Sequence, residues 1–265
     1  MTIQEIQKVD LTSFCYLNKE RYPFLLESVN HNENNRYSIL FAFPEKSIVL
    51  RDFSDFDFLN ELESHCKQKS HDLNLPFTGG WFIYLSYELI GQIEPTLASK
   101  LQKSNIPIAY AVKIPSAVIT DHKLEKTFIV DEDDDDTRIN QILSDVKALE
   151  NIPDETIDGE ISEENEEKFT DGVKSSLDYI VAGDVFQVNL SRKWSYSLNS
   201  KQDSATIYYK LKKANPAPFS ALIQYENFSI ISSSPERLFS VNDGTLETRP
   251  IAGTHPRGKG RLDDA

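Results

Sequence analysis

Two stretches late in the chain concentrate residues able to do chemistry. Ser234-Pro235-Glu236-Arg237 sets a carboxyl beside a guanidinium, and Thr248-Arg249-Pro250-Ile251-Ala252-Gly253-Thr254 follows after ten residues. A glutamate held partly away from water can keep its proton near neutral pH and act as a general acid. The same residue on a surface would simply pair with Arg237 or Arg249, and the local pattern leaves both readings open. Beyond it, His255-Pro256-Arg257-Gly258-Lys259-Gly260-Arg261 is a basic, glycine-rich loop. Arg249, Arg257 and Arg261 offer fork-shaped donors suited to carboxylates. His31, His65, His71 and His122 have no metal-ligand spacing, and two cysteines, Cys15 and Cys66, exclude a disulfide scaffold or a cysteine-rich zinc module.

The 265 residues carry 28 Lys+Arg against 42 Asp+Glu, a net charge of −14. Between Asp131 and Glu167 lie 16 acids and two bases, and the remainder of the chain is neutral. With no basic stripe to displace counterions from phosphates, nucleic-acid binding is not expected. Asp133 to Asp136 are consecutive, without the spaced acids and turn glycine of an EF-hand, so residues 131–160 read as an acidic linker. No signal peptide and no apolar run of ~18 residues is present, so a soluble cytoplasmic protein with no membrane partner is expected.

Residues 1–130 read as a β-rich region. Tyr37 to Phe43 and Ser47 to Leu50 are strands around Pro44-Glu45-Lys46, and Ser54 or Asp55 could cap a helix carrying Leu59, Leu62 and Cys66. The aromatic run from Gly79-Gly80 to Tyr87 is a strand whose glycines suggest close backbone approach. Tyr110 to Thr120 and Lys126 to Val130 read as a strand pair. Helices follow: Ile139, Ile142, Val146 and Leu149 form one stripe, and Phe169, Val173, Leu177 and Ile180 another. The second is capped by Ser162 and ended by Gly183. Asp184 to Trp194 reads as a strand, and a helix through Ile207 and Leu211 stops before Pro216. Phe219 to Tyr225, Phe228 to Ser233 and Arg237 to Val241 are strands, and Thr245 to Arg249 pairs back across a turn. Strands adjoining strands and helices in blocks give an α+β class with largely antiparallel sheet.

Five segments in order carry a resemblance. They are Leu25-Leu26-Glu27-Ser28, Gly183-Asp184-Val185-Phe186-Gln187-Val188-Asn189-Leu190, Asn215-Pro216-Ala217-Pro218-Phe219, Ser234-Pro235-Glu236-Arg237 and Thr248 to Thr254. Together they resemble component I of aminodeoxychorismate synthase, of the chorismate-binding family shared with component I of anthranilate synthase. The resemblance implies two large, mostly antiparallel sheets packed together with helices outside, and members continue past the Pro-Ile-Ala-Gly-Thr loop. The chain therefore reads as an N-terminal portion, incomplete at its C-terminus, with 161–265 the first part of the chorismate-binding region.

The resemblance also implies an activity. Chorismate is aminated with ammonia from a glutamine amidotransferase component II, and Mg2+ holds the substrate through ligands beyond this chain. Glu236 would be the general acid for the departing ring hydroxyl. Gly253 would let the backbone approach the substrate and Thr254 would hydrogen-bond a carboxylate. Arg257 and Arg261 read as loop-surface charges. Ala252 stands where a lysine nucleophile occurs in relatives, which leaves para versus ortho amination open. Leu26, Glu27 and Ser28 with Asn215, Pro216 and Phe219 match positions lining a tryptophan pocket, with Leu26 and Phe219 as the apolar slot and Glu27 for the ammonium; ordinary strand packing is the other reading. Anthranilate synthase component I and a non-catalytic tryptophan-binding module are the alternatives, and the 265 residues alone are expected to lack turnover.

Overall fold

The computed structural model describes residues 1–265 except 31–34, 67–74, 102–103, 134–135, 243 and 252–265. In chain order come β1 (Thr2–Ile6), α1 (Leu11–Leu17), β2 (Phe24–Glu27), β3 (Tyr37–Ala42), β4 (Ser47–Leu50) and α2 (Phe58–His65). Next are β5 (Gly80–Leu85), α3 (Ile90–Ile93), β6 (Ala109–Ile114), β7 (Ser116–Asp121), β8 (Lys126–Asp131) and α4 (Asp136–Ala148). After these stand β9 (Gly159–Glu163), α5 (Glu166–Ala182) and β10 (Trp194–Leu198). The chain closes with α6 (Ser204–Ala214), β11 (Phe219–Tyr225), β12 (Phe228–Ser234), β13 (Ser240–Asn242) and β14 (Thr245–Glu247). Two units result: Met1–Pro153 with Ser204–Ala265, and Asp154–Asp203.

The larger unit is built on a seven-stranded sheet of order β1-β8-β7-β3-β2-β11-β12, antiparallel throughout. Period-two alternation gives each strand two apolar faces. One face presents Leu25, Leu40, Val118, Ile129 and Leu222 to α1, α4 and α6. The other presents Phe24, Phe41, Ala221 and Ile223 to a second antiparallel sheet of order β4-β6-β5. Its outer face is covered by Phe58 and Leu62 of α2. The α+β class with packed antiparallel sheets and outside helices is therefore present, with the second sheet three strands wide.

The aromatic run of β5 has its reason in the space between the sheets. Phe82 stacks on Phe24 with ring centroids 4.1 Å apart, and Tyr110 lies between Tyr84 at 4.9 Å and Tyr225 at 4.1 Å. Such pairs add about 0.5–1.5 kcal/mol each beyond the area they bury. Gly79 precedes the run at φ +109°, where a Cβ would collide with the side chain of Glu132. The close approach expected of the paired glycines is thus to that side chain.

Several local readings are corrected. Tyr110 to Thr120 is two strands, because Pro115 lacks a ladder donor and the chain changes sheet there. Residues 131–160 are more than a linker: α4 places Ile139 and Ile142 in the core, and buried Asp131 is gripped by Arg138 at 2.7 and 3.1 Å. The cap of α2 is Asp57, and Ser54 and Asp55 lie in the preceding turn.

In the unit Asp154–Asp203, the cap of α5 is Asn165, with Ser162 inside β9, while Gly183 ends the helix at φ +83°. Asp184 to Lys193 is irregular, and only Trp194 enters a strand, pairing with Glu163. Two apolar residues of that segment serve the helix instead: Val188 and Leu190 face Phe169, Val173, Leu177 and Ile180 across a cavity of about 470 Å³, while Phe186 is fully exposed. Among the described residues of the whole chain, no helix is long and apolar enough to cross a membrane.

Two buried aspartates stand at the ends of β7 and β8. Asp121 receives Arg36 at 2.9 and 2.5 Å and the backbone N–H groups of Lys123 and Leu124. Asp131 receives Arg138 and the hydroxyl of Ser116. Burial disfavours both charges, but these donors outweigh it and hold both carboxyls below the usual aspartate range. A carboxyl depressed in the folded state adds stability above its unfolded pKa, about 3.9, and that stability is lost as pH falls through the folded value. Urea unfolding should therefore show stability falling as pH drops below about 4, and Asp131→Asn should be less stable at pH 7 yet lose less on acidification.

Candidate functional site

The Ser-Pro-Glu-Arg segment leaves β12 and enters the β13–β14 hairpin. The Ser234 hydroxyl donates to the carbonyl of Glu236 at 2.9 Å, fixing the turn. Arg249 Nε lies 2.7 Å from Glu247, and Arg237 approaches the same carboxylate at 4.0 Å while lying 5.8 Å over the ring of Phe219. Glu247 thus takes the arginines, and Glu236 pairs with neither. Its Oε1 accepts the backbone N–H of Ile251 at 3.1 Å. The two motifs meet through this bond. Glu236 is exposed, so the partial desolvation that a general acid requires is not supplied by the described residues. Gly253 and Thr254, with Ala252, Arg257 and Arg261, lie outside the described residues.

A second group is assembled by the pairing of β2 with β11, in which Leu26 faces Ala221 and Glu27 faces Ser220. Val29 and Asn30 donate to the carbonyl of Ala217 at 3.1 and 3.3 Å, extending that contact. Leu26, Glu27 and Ser28 are thereby brought beside Asn215, Pro216 and Phe219, across nearly the whole sequence. They do not converge on one pocket. Adjacent strand residues point to opposite faces, so Leu26 shares the face of Phe219 while Glu27 points to the helices. Ser28 is buried and spent, its N–H donating to Ser38 Oγ and its hydroxyl to the carbonyl of Tyr37. Asn215 and Pro216 are exposed, and the Asn215 carbonyl accepts Ser233 Oγ at 2.5 Å.

Glu27 stands in a cavity of about 360 Å³ whose wall mixes Val9 and Leu11 with Asp10, Ser38, His122 and Lys212. Its carboxylate accepts the Tyr208 hydroxyl at 2.8 Å and faces Lys212 Nζ at 3.3 Å. Lys212 also reaches Asp10 at 3.0 Å and Thr12 Oγ1 at 2.6 Å. Burial raises the Glu27 carboxyl above its usual range, opposed by Lys212 and Tyr208. Burial and the neighbouring Glu27 raise the Tyr208 hydroxyl well above its own. Sequence reading missed Tyr208 and Lys212, although their spacing of four on a helix places both on one face.

Removing the cation exposes the sign of this arrangement. Lys212→Met leaves a buried carboxylate held by Tyr208 and should cost about 3–5 kcal/mol at pH 7 in urea unfolding. A carboxyl raised in the folded state contributes its stability at low pH and loses it as pH rises through the folded value. The deficit of Lys212→Met should therefore shrink as pH falls toward 4.

Among the described residues no three His, Cys, Asp or Glu side chains come together to hold a metal ion. The comparisons with known proteins carry the assignment further. The chorismate binding enzyme family matches residues 21–265. Anthranilate synthase component 1 of Lactococcus lactis is 29% identical over 290 residues, covering 99% of this chain and 63% of its own length. Aminodeoxychorismate synthase component 1 of Bacillus subtilis is 30% identical over 271 residues, covering 92% and 57%. The crystal structure of anthranilate synthase component I from Streptococcus pneumoniae superposes with a TM-score of 0.65 at 24% identity, covering 82% of this chain and 54% of that one, which shows the shared fold. The chain thus spans between half and two thirds of the length of these relatives. A match over nearly all of the sequence, and the meeting of its two motifs at Glu236 and Ile251, place this chain in the chorismate binding enzyme family.

Proposed function

We propose that this chain supplies part of component I of aminodeoxychorismate synthase, which aminates chorismate to 4-amino-4-deoxychorismate on the route to para-aminobenzoate and folate. The observation that carries the reading is the Glu236–Ile251 hydrogen bond, which sets a carboxyl against the residue that begins the Ile-Ala-Gly-Thr sequence. Ammonia adds to the ring and the hydroxyl departs as water, taking the proton of Glu236. The described residues leave Glu236 exposed, open to a substrate bound against it. Gly253 and Thr254 would receive a substrate carboxylate, with Gly253 allowing close backbone approach.

The nitrogen would come from a glutamine amidotransferase component II. Mg2+ would hold the substrate through ligands other than the described residues, which offer it no ligand set. Tryptophan would lie near Leu26 and Phe219, which share a face, rather than against Glu27, whose acceptors serve Tyr208 and Lys212.

One specific observation favours a second reading, ortho amination by anthranilate synthase component I. Ala252 offers no nucleophile at that position, and several relatives at about 30% identity bear that name. The segments Val188 to Ser191 and Asn215 to Ala221 favour the para reading.

Product analysis separates the two. In a chain extended to the length of its relatives, chorismate, ammonia and magnesium should yield 4-amino-4-deoxychorismate by chromatography; anthranilate would instead establish the second reading. The 265 residues alone should form product no faster than background. In the extended chain, Glu236→Gln should lower turnover about 10²–10⁴-fold while shifting unfolding by no more than about 0.5 kcal/mol. Unchanged turnover would remove the acid role.

A further inference from the structure

Away from both groups, a cavity of about 240 Å³ opens where the strands of the smaller sheet end. Arg51 follows β4, Ser86 follows β5, and Ile108 precedes β6. The rim backbone is already paired: the Ile108 N–H donates to Leu50 at 2.8 Å and the Ser86 N–H to Ile108 at 3.0 Å. Side chains therefore decide what the cavity can hold. Phe53, Leu101, Ile106 and Ile108 make much of its wall apolar.

The charged groups around it differ in what they have left to offer. Arg51 Nη2 is held by both carboxylate oxygens of Glu226, at 2.6 and 2.7 Å. Asp52 accepts the N–H and the hydroxyl of Ser54 at 3.0 and 2.8 Å. The carboxylate of Glu88, in the same wall, has no hydrogen bond or ion pair among the described residues. The ring of Tyr84 is fixed by stacking on Tyr110 at 4.9 Å. Burial, and the negative charge of Glu88 beside it, keep its hydroxyl protonated at neutral pH. The Ser86 hydroxyl is buried with no partner among the described residues. The cavity thus has an apolar body, one uncompensated carboxylate and two hydroxyls beside it. Apolar pockets with a few placed polar groups are the usual form of small-molecule sites, and this one falls just below their range of roughly 300–1,000 Å³, which limits it to a small ligand.

We propose that this cavity binds a small primary amine with an apolar body the size of a single ring and short chain. The ammonium sits at Glu88, and the body lies against Phe53, Leu101, Ile106 and Ile108. A positive ligand is selected because Arg51 is already neutralised by Glu226, so the described residues of the wall carry net negative charge. The site shares no residue with the motifs around Glu236, so it stands or falls separately from the proposed amination.

Calorimetric titration of the 265-residue chain at pH 7 with phenethylamine tests it, with phenylacetate and phenylalanine as comparators. Phenethylamine should bind saturably, phenylacetate should not bind, and phenylalanine should bind more weakly than the amine. Glu88→Gln should weaken phenethylamine binding about 10–100-fold. Ala98→Leu, which fills the cavity from a part-exposed position, should abolish it. Both variants should keep the parent unfolding midpoint. The proposal is overturned if the folded parent shows no saturable binding, if phenylacetate or phenylalanine binds as tightly as the amine, or if either variant binds as the parent does.

Discussion

The pairing of β2 with β11 is the constraint on which the rest of the structure depends. It joins Phe24–Glu27 to Phe219–Tyr225 in the interior of the seven-stranded sheet, across almost two hundred residues of chain. The entropy of closing so long a loop grows only logarithmically with length, so a few well-buried side chains offset it. Leu25 and Leu222 on one face, with Phe24 and Ile223 on the other, supply that burial at about 1.5–3 kcal/mol for each fully buried side chain. Once β11 is docked, α6 is set against α1, β12 is added at the sheet edge, and the Glu236 hairpin follows from the end of β12. The candidate site is thus a consequence of one remote strand pair.

Acids inside this unit are paired across elements. Asp121 meets Arg36, Asp131 meets Arg138, Asp145 meets Arg21 and Tyr22, and Glu27 meets Lys212 and Tyr208. Each partner comes from a different part of the chain, so each pair fixes a packing position as well as a charge. Exchanging such a pair for apolar residues is often neutral or stabilising, whereas removing one member leaves a charge buried alone. The net charge of −14 says little about this interior; Asp131, Asp145 and Arg138 all come from residues 131–160, which read as an acidic linker.

Strand existence was legible where apolar residues alternate, as in Tyr37–Ala42 and Phe219–Tyr225, and helix ends where Gly183 or Pro216 stop them. What stayed hidden was partnership. Val185 to Leu190 looks like a strand because its apolar residues are closely spaced, yet Val188 and Leu190 lie over the stripe of α5 and no ladder forms. Ser162 has the right chemistry for a cap, but it pairs with Ser195, and the cap falls three residues on at Asn165. At the candidate site, the motif residues were legible as types, while the pairing of Leu26 with Ala221 and the bond from Ile251 to Glu236 across the β13–β14 hairpin depend on tertiary placement that local pattern does not carry.

Amide hydrogen exchange, followed by peptide, tests the β2–β11 pairing most directly. Slow exchange marks backbone amides whose hydrogen bonds open only with the unit as a whole. The account requires peptides spanning 24–27 and 219–225 to be protected as strongly as 37–42 and 116–121, and more strongly than 240–247. Exchange of 219–225 as fast as that of 240–247, with 37–42 and 116–121 still protected, would contradict it.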